Sequence, residues 1–90
     1  MELDEIREYL NNYDAELIRI LAKRQKLIPK VAKYKKENNL QRYQPEREKE
    51  IIESKRKLAI NLGLDPDLVE DIIKKIIENS HKIEKEIIGK

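Results

Sequence analysis

The apolar residues of the N-terminal third repeat at alternating steps of three and four, a pattern typical of a helix that packs along another helix. This stripe predicts a helix over about residues 4–37, roughly 50 Å long at 1.5 Å per residue. A globular chain of this length has a radius of gyration of only about 12 Å. The helix therefore projects beyond its own chain, and we expect a second copy to cover it. The stripe comprises Leu3, Ile6, Leu10, Tyr13, Leu17, Ile20, Leu27, Val31 and Tyr34.

Proline, glycine and asparagine residues mark the ends of the predicted helices. Asn38-Asn39 ends the first, Pro45 begins the second, and Gly63 with Asp65-Pro66 separates the second from the third. Pro29 lacks an N–H and should bend the first helix locally. No segment alternates as a strand does, so we expect an all-α fold and a single helical domain over residues 1–90. The predicted helices cover about residues 4–37, 45–61 and 66–88.

Composition excludes several classes of protein. The chain has no cysteine and one histidine, so it can form neither a disulfide nor a zinc site built from several Cys and His side chains. No apolar run approaches the roughly 20 residues of a membrane span, and the acidic first residues do not resemble a signal peptide. We therefore expect a cytoplasmic protein without a membrane partner. Its 20 basic and 18 acidic residues are interspersed, which argues against nucleic-acid binding.

Polar side chains interrupt the apolar faces of all three predicted helices. Arg24 occupies a core position of the stripe, and Lys35 follows three turns later on nearly the same side, about 16 Å along the axis. A buried ion pair or a side chain reaching to solvent would explain any one of these interruptions. A pocket for a small, multiply anionic molecule explains all of them together. The set is Arg24, Lys35, Arg47, Glu48, Ser80 and Glu84.

Two further residues are placed by helix geometry. Arg7 lies about 25 Å from Arg24 along the first helix, too far to share a small ligand within one chain. An antiparallel second copy would bring Arg7 toward the Arg24–Lys35 region of its partner. His81 follows Ser80 directly and should point about 100° away from it, so we expect His81 on the surface.

Five short segments, taken in order, resemble the all-α class of chorismate mutase. The resemblance spans nearly the whole chain; no single segment is specific, whereas the ordered set at these spacings is. The segments are Ile6-Arg7 with Asp14, Leu21-Ala22-Lys23-Arg24, Val31-Ala32-Lys33-Tyr34-Lys35, Pro45-Glu46-Arg47-Glu48, and Ile77-Glu78-Asn79-Ser80 followed by Glu84.

The resemblance implies an intertwined homodimer of three-helix chains, a six-helix bundle in which each of two sites borrows an arginine from the other subunit. It also implies the rearrangement of chorismate to prephenate, on the route to phenylalanine and tyrosine. That reaction is unimolecular and needs no metal or other cofactor. Catalysis then consists of selecting the reactive conformer and stabilising a polarised transition state with cationic groups.

By the same resemblance, Arg24 and Arg7 of the partner bind the two substrate carboxylates. Lys35 contacts a carboxylate and the ether oxygen, and Glu84 faces that oxygen from the opposite side. Many members carry Gln at the position of Glu84, and a carboxylate there would repel the developing negative charge. Glu84 should therefore act in its protonated form, which predicts activity that declines as pH rises.

The remaining implied roles concern the other end of the substrate and the scaffold. Glu48 holds the ring hydroxyl, Arg47 orients that side, and Ser80 supports a carboxylate. Gln44 stands where an Asp is frequent in the family and is included as a substrate-binding residue through its backbone. Asp14 is expected to be structural, paired with Arg24 or Arg7.

Three other functions compete with this interpretation. An isochorismate-pyruvate lyase of the same fold uses a similar cationic site, but Glu48 favours the mutase because the resembling lyases tend to lack an acid there. A non-catalytic helical dimerisation module would tolerate Arg24→Ala or gain stability from it. A nucleic-acid-binding protein would need a one-sided basic patch that the sequence does not show.

Overall fold

Helices account for most of the chain, and no strand occurs in the part that the structure describes. The computed structural model describes residues 1–89. The all-α prediction is confirmed, and the second and third predicted helices are found at the expected positions. The helices are α1 (Leu3–Gln25), α2 (Ile28–Glu37), α3 (Pro45–Asn61) and α4 (Pro66–Ile88).

The long first helix is present but divided, since α1 and α2 meet at a two-residue interruption. Pro29 has no N–H to donate to the carbonyl of Gln25, so the regular ladder cannot run through this turn. Leu27 instead donates to the carbonyl of Arg24 at 3.1 Å, a tighter turn than that of an α-helix. Lys26 and Leu27 keep right-handed helical backbone angles, with φ of −66° and −82°. The bend predicted at Pro29 thus takes the form of a short break just before it.

The turn between α3 and α4 has the geometry expected from its sequence. Gly63 adopts a φ of 74°, in the left-handed region that favours glycine. Leu64 then donates its N–H to the carbonyl of Ala59 at 2.8 Å, which closes the end of α3. The side chain of Asp65 caps α4 by accepting a 2.9 Å hydrogen bond from the N–H of Asp67.

α4 is the helix against which both α2 and α3 pack. Among residues 1–89, the buried ones are Ala32, Ala59, Ser80 and Glu84. The alanines allow close approach of the helix axes, whereas Ser80 and Glu84 place polar atoms in the interior. Burying polar groups costs free energy unless they are hydrogen-bonded, so their position indicates a site rather than a simple core.

A surface ion-pair cluster also ties α3 to α4. Arg56 donates to Asp67 at 2.9 Å and to Glu70 at 3.0 Å, and Lys74 lies 2.8 Å from Glu70. The hydrogen bond from Lys74, reinforced by that from Arg56, lowers the pKa of the Glu70 carboxyl. This cluster therefore stabilises the helix pair most when Glu70 is ionised.

α1 buries none of its own residues and leaves its apolar stripe open. Leu17 and Ile20, at the centre of the stripe, are each 64 % exposed. The chain measures 55 × 23 × 14 Å with a radius of gyration of 16.3 Å, well above the value of about 12 Å for a compact chain of this length. No helix among residues 1–89 is long and apolar enough to cross a membrane.

Candidate active site

A cavity of about 460 Å³ opens between α2, α3 and α4, beside the end of α1. Seven of the eight predicted site residues line it. They come from four helices and one loop end, so the fold brings together side chains that are up to 60 positions apart in sequence. These seven are Arg24, Lys35, Gln44, Arg47, Glu48, Ser80 and Glu84.

Lys35 and Glu84 form a buried ion pair at the base of the cavity. The Lys35 Nζ donates to Glu84 Oε1 at 2.7 Å and to the backbone carbonyl of Arg42 at 2.8 Å. Their side chains are only 14 % and 6 % exposed. An ammonium group has three N–H donors, so one remains for a ligand. Glu84 is buried, as its place on an apolar helix face predicted, and its immediate neighbour is the Lys35 cation.

Arg24 is half-buried and contacts neutral groups. Its Nη1 donates to Gln25 Oε1 at 2.6 Å and to Ser80 Oγ at 3.3 Å. No ion pair of Arg24 with a carboxylate occurs within residues 1–89 of the single chain. Arg24 is therefore not half of a buried ion pair within these residues, and its guanidinium group keeps N–H donors for an anion.

Gln25, which the sequence analysis did not single out, holds Arg24 and Ser80 together. Its Nε2 donates to Ser80 Oγ and to Asn79 Oδ1, both at 3.0 Å, while its Oε1 accepts from Arg24. Ser80 Oγ in turn donates to the carbonyl of Ile76 at 3.0 Å. Only its place in the sequence could have identified Gln25, because it directly follows Arg24 and lies where Pro29 interrupts the helix.

His81 corrects an expectation, since it does not lie on the surface. Its side chain is 23 % exposed, lines the cavity and lies 2.8 Å from Glu48 through Nε2. The helix period would have shown this, because His81 lies four residues after Ile77 and three before Glu84, on the inward face of α4. Arg42, also missed, contacts His81 Nδ1 at 2.8 Å. Arg42 belongs to the loop before α3, where helical periodicity gives no guidance.

Gln44 and Arg47 occupy the rim of the cavity. Gln44 precedes the first residue of α3, and its backbone carbonyl accepts from the N–H of Glu48 at 3.1 Å. Arg47 is largely exposed and pairs with Glu50 at 2.7 Å. Their positions fit contacts at the edge of a bound ligand better than contacts at its buried end.

Arg7 is the predicted site residue that one chain does not bring to the cavity. It lies on the exposed surface of α1, 65 % exposed, and its ion pair is with Asp4 at 4.0 Å. Asp14 is also exposed, and within residues 1–89 it pairs with neither Arg7 nor Arg24, contrary to the expectation for a single chain. A contribution of Arg7 from a second copy stays a prediction.

The cavity has an excess of positive charge. Four cationic side chains and two carboxylates line it, which leaves a formal charge of two positive when His81 is neutral. Apolar residues of α2, α3 and α4 supply the rest of the wall, among them Val31, Ile51 and Ile77. A cavity of this size, apolar with a few convergent cations, suits a small organic dianion.

Comparison with known proteins identifies the family. Residues 6–85 match the family described as chorismate mutase type II. The chain belongs to the type II chorismate mutase family. The resemblance predicted from the ordered segments is therefore confirmed.

Relatives with curated names include both long and short proteins. The T-protein of Enterobacter agglomerans is 36 % identical over 94 % of this chain, which covers 23 % of that protein. The bifunctional chorismate mutase/prephenate dehydratase of Aquifex aeolicus is 34 % identical over 96 % of the chain and 25 % of its own length. The chorismate mutase of Methanocaldococcus jannaschii is 29 % identical over 97 % of the chain and 88 % of its own length. The chain thus spans about a quarter of the T-protein and of the bifunctional enzyme.

Proposed function

We propose that this type II chorismate mutase domain converts chorismate to prephenate. The observation that carries the proposal is the cavity with two excess positive charges, in which Arg24 has no carboxylate partner among residues 1–89 of its own chain. Chorismate is a small dicarboxylate with a ring hydroxyl and an ether oxygen, and the cavity presents Arg24 for one carboxylate, Glu48 for the hydroxyl and Lys35 for the ether oxygen. Aromatic amino acid biosynthesis is the pathway that this reaction serves.

The residues present suit a reaction that needs positioning rather than a nucleophile. Arg24 offers a planar set of donors for one carboxylate, supported by Ser80 and Gln25. Glu48, on α3, also lines the cavity and is available to accept a hydrogen bond from the ring hydroxyl. Clamping the substrate at both ends selects the folded conformer in which the bond-forming carbons approach each other.

Lys35 supplies the electrostatic part of catalysis in this proposal. As the C–O bond of chorismate breaks, negative charge develops on the ether oxygen, and the remaining N–H of Lys35 stabilises it. Glu84 fixes the ammonium group through its 2.7 Å hydrogen bond. When protonated, Glu84 can itself donate to the same oxygen, as the resemblance implies.

A homodimer completes the site in the same proposal. A compact 10.8 kDa protein exposes about 5,500 Å², whereas this chain exposes 7557 Å². The excess of about 2,000 Å² per chain falls in the range of obligate dimer interfaces. The exposed stripe of α1 supplies apolar surface for such an interface, and Arg7 on the same helix provides the second carboxylate ligand when two chains pair antiparallel.

The test is turnover of chorismate with identification of the product, together with the mass of the protein in solution. We expect prephenate, a mass of two chains, and at least roughly a hundredfold loss of kcat/KM in Arg24→Ala with the helical content retained. Release of pyruvate from isochorismate would instead assign the lyase reaction. No turnover of either substrate, with Arg24→Ala neutral or stabilising, would assign a dimerisation module.

The single-domain boundary over residues 1–90 and the cytoplasmic location stay predictions. Both accord with the proposed reaction, which uses a small soluble metabolite and no cofactor. Fractionation of cells that make the native protein, with detection of the mutase activity, would test the location.

A further inference from the structure

His81 connects two charged residues of the cavity through the two nitrogens of its ring. Nε2 lies 2.8 Å from Glu48 Oε2, and Nδ1 lies 2.8 Å from Arg42 Nη1. Glu84 Oε2 faces the same Nδ1 at 3.9 Å. The ring of Tyr43 meets the imidazole edge to face, with centroids 6.0 Å apart. Groups from α3, α4 and the loop before α3 thus fix the imidazole on several sides.

The chemistry of the partners assigns the tautomer of His81. An arginine guanidinium carries only donors, so the 2.8 Å contact with Arg42 requires an acceptor lone pair on Nδ1. The proton of the neutral ring then lies on Nε2, which donates to the Glu48 carboxylate. Arg42, His81 and Glu48 therefore form a chain of hydrogen bonds that runs in one direction.

We infer that His81 is a positioning residue, which holds the Glu48 carboxylate in the orientation that the substrate hydroxyl requires. The Nε2–H occupies Glu48 Oε2 and leaves Oε1 for the ligand. Without it, Glu48 is free to turn toward the cations on the cavity wall, because four of them lie around the same space. The inference rests on the proposed function, in which Glu48 binds the ring hydroxyl.

The first experiment uses the fact that the chain contains a single histidine. Protein labelled with nitrogen-15 in histidine gives ring signals from His81 alone, and their chemical shifts distinguish the two neutral tautomers. We expect the neutral ring to carry its proton on Nε2, and a shift toward tautomer exchange in Glu48→Ala. An Nδ1–H form, or free exchange in the wild type, would overturn the inference.

The second experiment measures kcat and KM for chorismate in His81→Leu and His81→Gln. We expect His81→Leu to lose roughly tenfold in kcat/KM, which corresponds to about 1.4 kcal/mol. His81→Gln should recover most of that loss, because its Nε2 amide can donate to Glu48 where the imidazole did. Lys82→Leu, an exposed neighbour on α4, is the matched control and should behave as the wild type.

A double-variant comparison separates positioning from a purely structural contact. In a Glu48→Ala background, His81→Leu should cause no further loss in kcat/KM, since there is no carboxylate left to hold. Additive losses, or wild-type kinetics in His81→Leu, would overturn the inference while the mutase activity of the wild type stands. Failure of the wild type to convert chorismate would instead overturn the proposed function.

Discussion

Mixing two inactive variants should restore activity if each site takes Arg7 from one chain and Arg24 from the other. The two residues lie 17 positions apart on one long helix, about 25 Å along its axis. A cavity of about 460 Å³ cannot span that distance within one chain. We therefore expect Arg7→Ala and Arg24→Ala each to lose roughly a hundredfold or more in kcat/KM when assayed alone.

The size of the recovery follows from symmetry. When equal amounts of the two variants are unfolded together and refolded, about half of the dimers contain one chain of each kind. Every such heterodimer has one site with both arginines intact and one site with neither. The mixture should therefore reach about a quarter of the wild-type activity per chain. Native mass spectrometry with a tag on one variant measures the heterodimer fraction independently.

A matched control uses two residues that line the cavity of the same chain. Arg24→Ala and Lys35→Ala, mixed in the same way, leave every site with one damaged residue, so no recovery is expected. If heterodimers of the Arg7 and Arg24 variants form and activity stays at the level of the separate proteins, the shared site is refuted.

Three further predictions follow from the structure. Leu17→Glu places a charge on the exposed stripe and should yield monomers in light scattering with reduced helical circular dichroism, whereas Asn12→Glu, off the stripe, should stay dimeric. Glu84→Gln should raise kcat for chorismate measured at one fixed pH, because a neutral amide does not repel the negative charge that develops on the ether oxygen; an unchanged or lower kcat would contradict this role. The pKa of Glu70 is lowered from its ordinary value of 4.5, chiefly by the hydrogen bond from Lys74, so its stabilisation is present above that value and lost as pH falls through the folded-state pKa. In Glu70→Gln, at fixed protein concentration, the thermal midpoint should consequently fall less between about pH 5 and pH 3, and an unchanged slope would contradict the ion-pair assignment.

Helix ends and polar interruptions were predictable because both depend on residues close in sequence. Gly63 and Asp65 end and begin helices through backbone conformation and capping, which act within a few residues. Arg24 and Glu84 could be recognised as site residues because each is a charged residue at a position where the repeat of apolar residues predicts an apolar one. The break before Pro29 was predicted as a bend, and its extent depends on the packing of the helices on either side.

The contacts between elements could not be obtained in the same way. Gln25 reaches Ser80 and Arg42 reaches His81 only because α4 packs beside the end of α1 and the loop before α3. Loop residues have no period to place them, and a neutral glutamine beside an arginine has no distinctive pattern. His81 is different, because its spacing of three residues from Glu84 already predicts the inward face of α4. The prediction of a surface position used only the 100° step from Ser80 and was wrong.

Because so few residues are buried, the folded fraction of the protein should depend on its concentration. Of the residues that the structure describes, only Ala32, Ala59, Ser80 and Glu84 are buried, so a single chain gains little free energy from folding alone. In the proposed dimer, folding and assembly are one equilibrium, so dilution shifts chains from folded dimers to unfolded monomers. Specific activity should decline at low protein concentration, and the level at which a cell expresses the gene would then set the fraction of chains that are folded as well as their number.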